Sequence, residues 1–249
     1  MPNDLLSPQA LRSELWDLKR IAHAGGGFHN KIYNNSEEAI LYNLDKGFEW
    51  FEIDFHWIDG VLMSDGDRAA TTHSTTASYY DAKDEGKAQK SEGVKTSMSI
   101  EQLAALMVSR PEIVIVPDVK DQGRNVEALR IMSEHIPDFE KRVLAQIFQP
   151  EEYAPVRELG FPVIWTLYNY KGGDSDVLRI IDDMQLVAVT MPIARAEAGL
   201  AHRVAEHGHQ TLAHTINDPA QLESLQALWG VGEVYSDFVA PGISRPALL

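Results

Sequence analysis

Trp50-Phe51-Glu52-Ile53-Asp54-Phe55-His56 decides how this chain folds. The run is apolar and β-prone, yet every second residue from Glu52 is polar and ionisable. Side chains alternate faces along a strand, so Glu52, Asp54 and His56 share one face. Carboxylates on an apolar strand are costly unless a metal or a charged ligand compensates them. The same signature lies on both sides of the run. His23-Ala24-Gly25-Gly26 follows one short apolar stretch, and Asp118-Val119-Lys120 closes another, with Asp118 and Lys120 on one face.

Working outward, eight β-prone runs can be placed, at 20–24, 50–56, 113–118, 143–147, 162–167, 186–190, 210–215 and 233–237. Helical patterns fill most gaps, at 36–46, 99–109, 126–135, 151–159, 175–183, 194–206 and 219–228. Ser99 with Gln102 three residues on suits a capping box. Alternating strands and helices predict parallel strands joined by crossovers, and eight such units close a (β/α)8 TIM barrel. A doubly wound open sheet is the competing arrangement. No shift of composition marks a second domain, so residues 1–249 read as one barrel domain. Residues 1–20 read as an amphipathic N-terminal helix starting near Ser7-Pro8 that covers an end of the fold. Residues 68–96, rich in Thr, Ser, Asp, Lys and Gly, read as an insertion after the second strand, placed as a lid or substrate-reading loop.

The bulk properties exclude several classes. The chain has 249 residues and 44% hydrophobic content, enough for one full core. It contains no cysteine, which removes disulfides and thiolate metal sites. A net charge of −15 argues against nucleic acid and anionic lipid as partners. No run approaches the roughly 18 apolar residues of a membrane span, and no secretory leader is seen, so a cytoplasmic location is expected. The expected partner is a small-molecule phosphodiester, with self-association into a homo-oligomer left open.

The three polar motifs all fall at C-terminal strand ends, the face where barrel enzymes carry their sites. Glu52, Asp54 and Asp118 make an all-oxygen set that suits a divalent cation, Mg2+ or Ca2+, rather than zinc. Lys120 can hold a phosphoryl oxygen as a point charge. Gly25 permits close backbone approach to a ligand. Gln146, Gln149, Trp165, Tyr168, His214 and Asp237 end later strands and could line the mouth. His135, His202, His207 and His209 fall on predicted helices or their ends and read as solvated; Asp121, Asp182 and Asp183 read as surface or helix-end charges.

The motifs Ile21-Ala22-His23-Ala24-Gly25-Gly26, Asn35-Ser36-Glu37-Glu38-Ala39 and Phe51-Glu52-Ile53-Asp54 resemble the opening of the glycerophosphodiester phosphodiesterase family, which shares its barrel with phosphatidylinositol-specific phospholipases C. The resemblance continues through Asp59-Gly60-Val61-Leu62, Pro117-Asp118-Val119-Lys120, His214-Thr215-Ile216-Asn217-Asp218 and Tyr235-Ser236-Asp237. It implies metal-dependent cleavage of a glycerophosphodiester-like substrate in lipid metabolism. Glu52, Asp54 and Asp118 would be metal ligands, His23 an acid–base group and Lys120 a phosphate contact. Gly25, Asp67 and Trp165 are the other expected substrate contacts. Three positions depart from the family pattern. Ala24 stands where an arginine is usual, Asn34 where the Glu-Asn-Thr signature begins, and Gly66 where the second catalytic histidine precedes the aspartate matched by Asp67. A glycine cannot protonate a leaving group, so His56 is the preferred substitute, with His73 and Asp65 as further candidates. The alternative is a degenerate relative that binds a phosphorylated ligand without turning it over.

Overall fold

The computed structural model describes residues 16–66, 97–121 and 123–242. The architecture is α/β, with a curled, mostly parallel sheet. In chain order the strands are β1 (Ile21–Ala22), β2 (Trp50–Ile58), β3 (Val61–Ser64), β4 (Val114–Val119), β5 (Ala145–Ile147), β6 (Val163–Thr166), β7 (Ala188–Pro192), β8 (Gln210–His214) and β9 (Glu233–Ser236). Eight of these match the runs expected from the sequence. β1 lies between β2 and β9, and parallel pairing continues through β8, β7 and β6 to β5, while β4 pairs with β2. The two ends of the curl meet where Ile115 bridges Val143 in parallel and the Leu144 N–H donates to the Ile115 carbonyl at 2.9 Å.

One strand was not expected. β3 folds back antiparallel on β2 across Asp59-Gly60, both at positive φ (50° and 82°). That is the backbone a two-residue hairpin turn requires, and glycine at its second position accommodates it. The expected insertion at 68–96 lies outside the described residues, as does most of the expected N-terminal helix; residues 16–20 are not helical.

Strand alternation divides the core in two. Ile21, Trp50, Val116, Leu144, Ile164, Ala188, Leu212 and Tyr235 form one buried cluster, with a contribution from each parallel strand or its lead-in. The larger cluster takes the opposite strand faces, among them Phe51, Ile53, Phe55 and Trp165, together with the helices' apolar residues. The helices are α1 (Glu37–Leu44), α2 (Ile100–Ser109), α3 (Asn125–His135), α4 (Phe139–Arg142), α5 (Tyr153–Glu158), α6 (Asp174–Ile181), α7 (Ile193–Glu197), α8 (Leu200–Glu206) and α9 (Pro219–Trp229). The capping box on α2 is present: Gln102 N–H donates to Ser99 Oγ (3.3 Å) and Ser99 N–H to Gln102 Oε1 (2.8 Å). The single helix expected over 194–206 is two, because Gly199 at φ 91° breaks the turn. His209, expected to be solvated, is 3% exposed, with Nε2 3.0 Å from the Ile181 carbonyl.

Candidate metal and phosphate site

Three neighbouring strands deliver the site. β1 ends in the short turn His23–Gly25, where Ala24 is left-handed (φ 49°, ψ 42°) and Gly25 and Gly26 follow at φ 79° and 85°. That path points the Ala24 N–H at Glu52 Oε2, 2.7 Å away. A Cβ on Gly26 would lie 2.5 Å from Asn43 Nδ2, so this close approach needs glycine.

Glu52, Asp54 and Asp118 converge, with one oxygen from each lying within 4.8 Å of the others. Parallel register sets Asp54 directly beside Asp118. Lys120 Nζ spans this pair, 2.5 Å from Asp54 Oδ1 and 2.5 Å from Asp118 Oδ2. Asn35 grips Asp54 from the other side: its Nδ2 donates to Asp54 Oδ2 (3.1 Å) and its Oδ1 accepts the Asp54 N–H (3.0 Å).

His23 is oriented from the far end of the chain. Its Nδ1 lies 3.0 Å from Asp237 Oδ1. Asp237 is itself fixed by Asn217, whose Nδ2 donates to Asp237 Oδ2 (2.7 Å). Asn217 Oδ1 accepts the Asp237 N–H (2.8 Å), the Phe238 N–H (3.2 Å) and the Ser236 hydroxyl (3.2 Å). Tyr33 packs edge-on against the imidazole, with ring centres 5.1 Å apart. The carboxylate engages Nδ1, which leaves Nε2 as the nitrogen for chemistry.

The electrostatics show an excess of buried negative charge. Burial, and then the Asp54 charge, push the Glu52 carboxyl up to about 8. Burial likewise raises Asp118, against the pull of Lys120. Burial would raise Asp54 too, but the contact with Lys120 outweighs it and holds that carboxyl low. Burial would lower His23, yet Asp237, Glu52 and Asp54 together raise it to about 9. A site that protonates a glutamate to balance its charge is one a divalent cation would relieve. Three converging carboxylate oxygens are the donor chemistry of Mg2+ and Ca2+, so the residues present fit such an ion.

His56 continues the same face of β2. Its Nε2 is 3.3 Å from Asp65 Oδ2 and its Nδ1 3.9 Å from Asp121 Oδ2. Asp121, expected as a plain surface or helix-end charge, also accepts the Trp57 N–H at 2.8 Å. Gly66 is buried and presents no side chain where the family resemblance expects a histidine, while Asp67 and His73 lie outside the described residues. Trp165 is corrected: it is fully buried in the sheet–helix layer, with its ring 5.0 Å from Tyr170, while its neighbour Ile164 takes the inner face. Alternation turns it away from the substrate side.

The later strands add two polar pairs, one on Gln146 and one on His214, both of which end strands as expected. Tyr235 Oη donates to Gln146 Oε1 (3.1 Å), and Thr190 Oγ1 lies 3.1 Å from His214 Nδ1. Asn35, Asn217, Thr190 and Tyr235 carried no signal beyond their places in strands or motifs.

No protein-family model and no curated protein matches the sequence. Solved structures do match, and several of them are glycerophosphodiester phosphodiesterases. The one from Parabacteroides distasonis is 19% identical, with 88% of this chain and 92% of that chain covered and a TM-score of 0.65. The one from Agrobacterium tumefaciens is 15% identical, with 89% and 97% covered and a TM-score of 0.58. A phosphodiesterase from Oleispira antarctica, solved with the product sn-glycerol-3-phosphate, is 16% identical, with 89% and 93% covered and a TM-score of 0.62. At these identities the likeness is one of fold, and it agrees with the resemblance carried by the sequence motifs.

Proposed function

We propose that this chain is a divalent-metal-dependent phosphodiester hydrolase, a single (β/α)8 barrel that cleaves a small glycerophosphodiester-like substrate. The observation that carries this reading is the convergence of Glu52, Asp54 and Asp118 beside Lys120 and the His23–Asp237 pair. The product-bound Oleispira relative supports the substrate class. Mg2+ or Ca2+ held by the three carboxylates would neutralise the non-bridging phosphate oxygens. Lys120, released from its carboxylates, holds a phosphoryl oxygen, and Gly25 lets the ligand approach the backbone; Asp67 is assigned to the same ligand by resemblance. His23 Nε2 moves a proton to or from the reacting oxygen while Asp237 holds the ring and stabilises its charged form. His56, paired with Asp65, takes the place of the proton donor that Gly66 does not provide.

Purified protein with Mg2+, Ca2+ or Mn2+ is expected to cleave members of a diester panel. Glu52→Ala and His23→Ala should each remove the activity; no cleavage in any metal overturns the reading. Gly66 favours a second reading, a binder without turnover. Calorimetric uptake of a phosphate ligand with no product formed would support it, and turnover abolished by His23→Ala would exclude it.

A further inference from the structure

We propose that Asn35, propped by Ser64, is the positioning residue that holds Glu52 and Asp54 to one oxygen each and so fits the site to Mg2+ over Ca2+. This rests on the metal reading above. Asn35 is buried, and its N–H, its carbonyl and both ends of its amide are all bonded. Its Oδ1 accepts the Asp54 N–H (3.0 Å). A backbone N–H can only donate, so the amide has one orientation, and Nδ2 is the group at Asp54 Oδ2 (3.1 Å). The other oxygen, Asp54 Oδ1, faces Lys120 Nζ, which also touches Asp118 Oδ2. One oxygen of Asp54 therefore turns to the space shared with Asp118, and the other is tied back. The backbone of Asn35 extends the hold to Glu52. Asn35 N–H donates to the carbonyl of the left-handed Ala24 (2.8 Å), and Ala24 N–H donates to Glu52 Oε2 (2.7 Å).

Asn35 reaches both carboxylates from a left-handed backbone (φ 46°), which asparagine tolerates better than most residues. Ser64 keeps it there. Ser64 is buried on β3, and its one hydroxyl proton goes to the Asn35 carbonyl at 2.8 Å, because a carbonyl can only accept. The same hydroxyl oxygen accepts the Met98 N–H (2.8 Å), and Ser64 N–H donates to the Met98 carbonyl (2.9 Å). The prop is thus fixed from both sides. Ion choice follows from how many oxygens the carboxylates can offer. Ca2+ takes roughly six to eight oxygens and gains from carboxylates that swing to give two. Mg2+ is smaller, demands near-octahedral geometry and keeps several waters, so single oxygens on fixed arms suit it. The N–H groups on Asp54 Oδ2 and Glu52 Oε2 compete with an ion for the second oxygen of each carboxylate. That competition leaves Ca2+ short of ligands and costs Mg2+ little.

The experiment is calorimetry on the full chain, with Mg2+ and Ca2+ titrated separately at one pH. The wild type should bind Mg2+ more tightly than Ca2+. Asn35→Gly keeps the left-handed backbone and deletes the grip on Asp54. It should weaken Mg2+ by about tenfold and Ca2+ by less than about threefold, the scale of a lost outer contact to a metal ligand. Ser64→Ala removes only the hydroxyl, should move the ratio of the two affinities the same way by about threefold, and decides the question if Asn35→Gly does not fold. A residue with a purely structural role would weaken both ions alike. Infrared difference spectra add a direct readout, because the two carboxylate stretches lie farther apart for one-oxygen than for two-oxygen binding. The wide separation is expected with Mg2+ in the wild type, and a narrow one with Ca2+ in Asn35→Gly. Tighter Ca2+ than Mg2+ binding by the wild type, or an unchanged ratio in either variant that folds, overturns the proposal and leaves the metal reading standing. Uptake of neither ion by the wild type overturns the metal reading and, with it, the role of Asn35.

Discussion

Cation uptake should expel a proton, and Glu52 should supply it. The metal-free site holds this carboxyl at about 8, through burial and the neighbouring Asp54 charge. At pH 7 such a group is about 90% protonated, and a cation bound to it must displace that proton, so about 0.9 proton leaves per ion. The release should fall to about 0.5 at pH 8 and about 0.1 at pH 9, while apparent affinity rises close to tenfold per pH unit below 8 and then levels. His23, raised to about 9, stays protonated at pH 7 and adds little there. The assay is calorimetry of Mg2+ or Ca2+ binding in two buffers of different ionisation enthalpy. The sign for folding follows from the same group: between about 4.5 and about 8 the folded protein holds a proton that the unfolded chain has released, so the metal-free protein loses stability as pH rises through that window. Release near zero at pH 7, or release undiminished in Glu52→Gln, would refute the reasoning.

Other outcomes test the supports of the site. Asn217→Ala strips Asp237 of a donor to Oδ2 and an acceptor for its N–H, and should cost about 3 kcal/mol in urea denaturation and slow turnover more than ten-fold. Gly26→Ala places a Cβ 2.5 Å from Asn43 Nδ2 at φ 85°, and should destabilise by about 2 kcal/mol or more on the same measurement. His214 titrates at about 3 in the fold against 6.5 ordinarily, so the unfolded chain takes up a proton the folded one refuses as pH falls. Stability should drop by about 2 kcal/mol from this group between pH 6.5 and 4.5. His214→Phe should flatten that part of the acid curve in pH-dependent denaturation.

What could be read from the sequence was what covalent geometry dictates locally. The two-residue period of a strand put Glu52 with Asp54 and Asp118 with Lys120 on shared faces, and the structure joins all four. Trp165 shows the limit of that rule. Ile164 and Trp165 are both apolar, so composition could not say which faces inward, and the indole lies in the outer layer. Asp59-Gly60 is itself a hairpin signal, and β3 follows from it. Gly199 likewise marked the break between α7 and α8. The His23–Asp237 pair was beyond local reasoning, because it joins positions 214 residues apart and exists only once the sheet has curled. The contacts of Thr190 with His214 and of Tyr235 with Gln146 depend on four strands meeting, which no spacing along the sequence encodes.

That long link separates the two halves of the chemistry in folding order. The carboxylates and the groups that hold them, the Ala24 N–H, Asn35 and Lys120, all lie within residues 24–120. The proton-moving histidine gains its orientation only when β9 docks beside β1 and Asp237 arrives with it. The metal-ligand half of the site thus comes from the first half of the chain, and the partner of the proton-moving histidine comes from the last strand. Fraying of β9 in the finished protein would silence the imidazole while leaving the ion in place, so ion binding reports on half the fold and turnover reports on all of it.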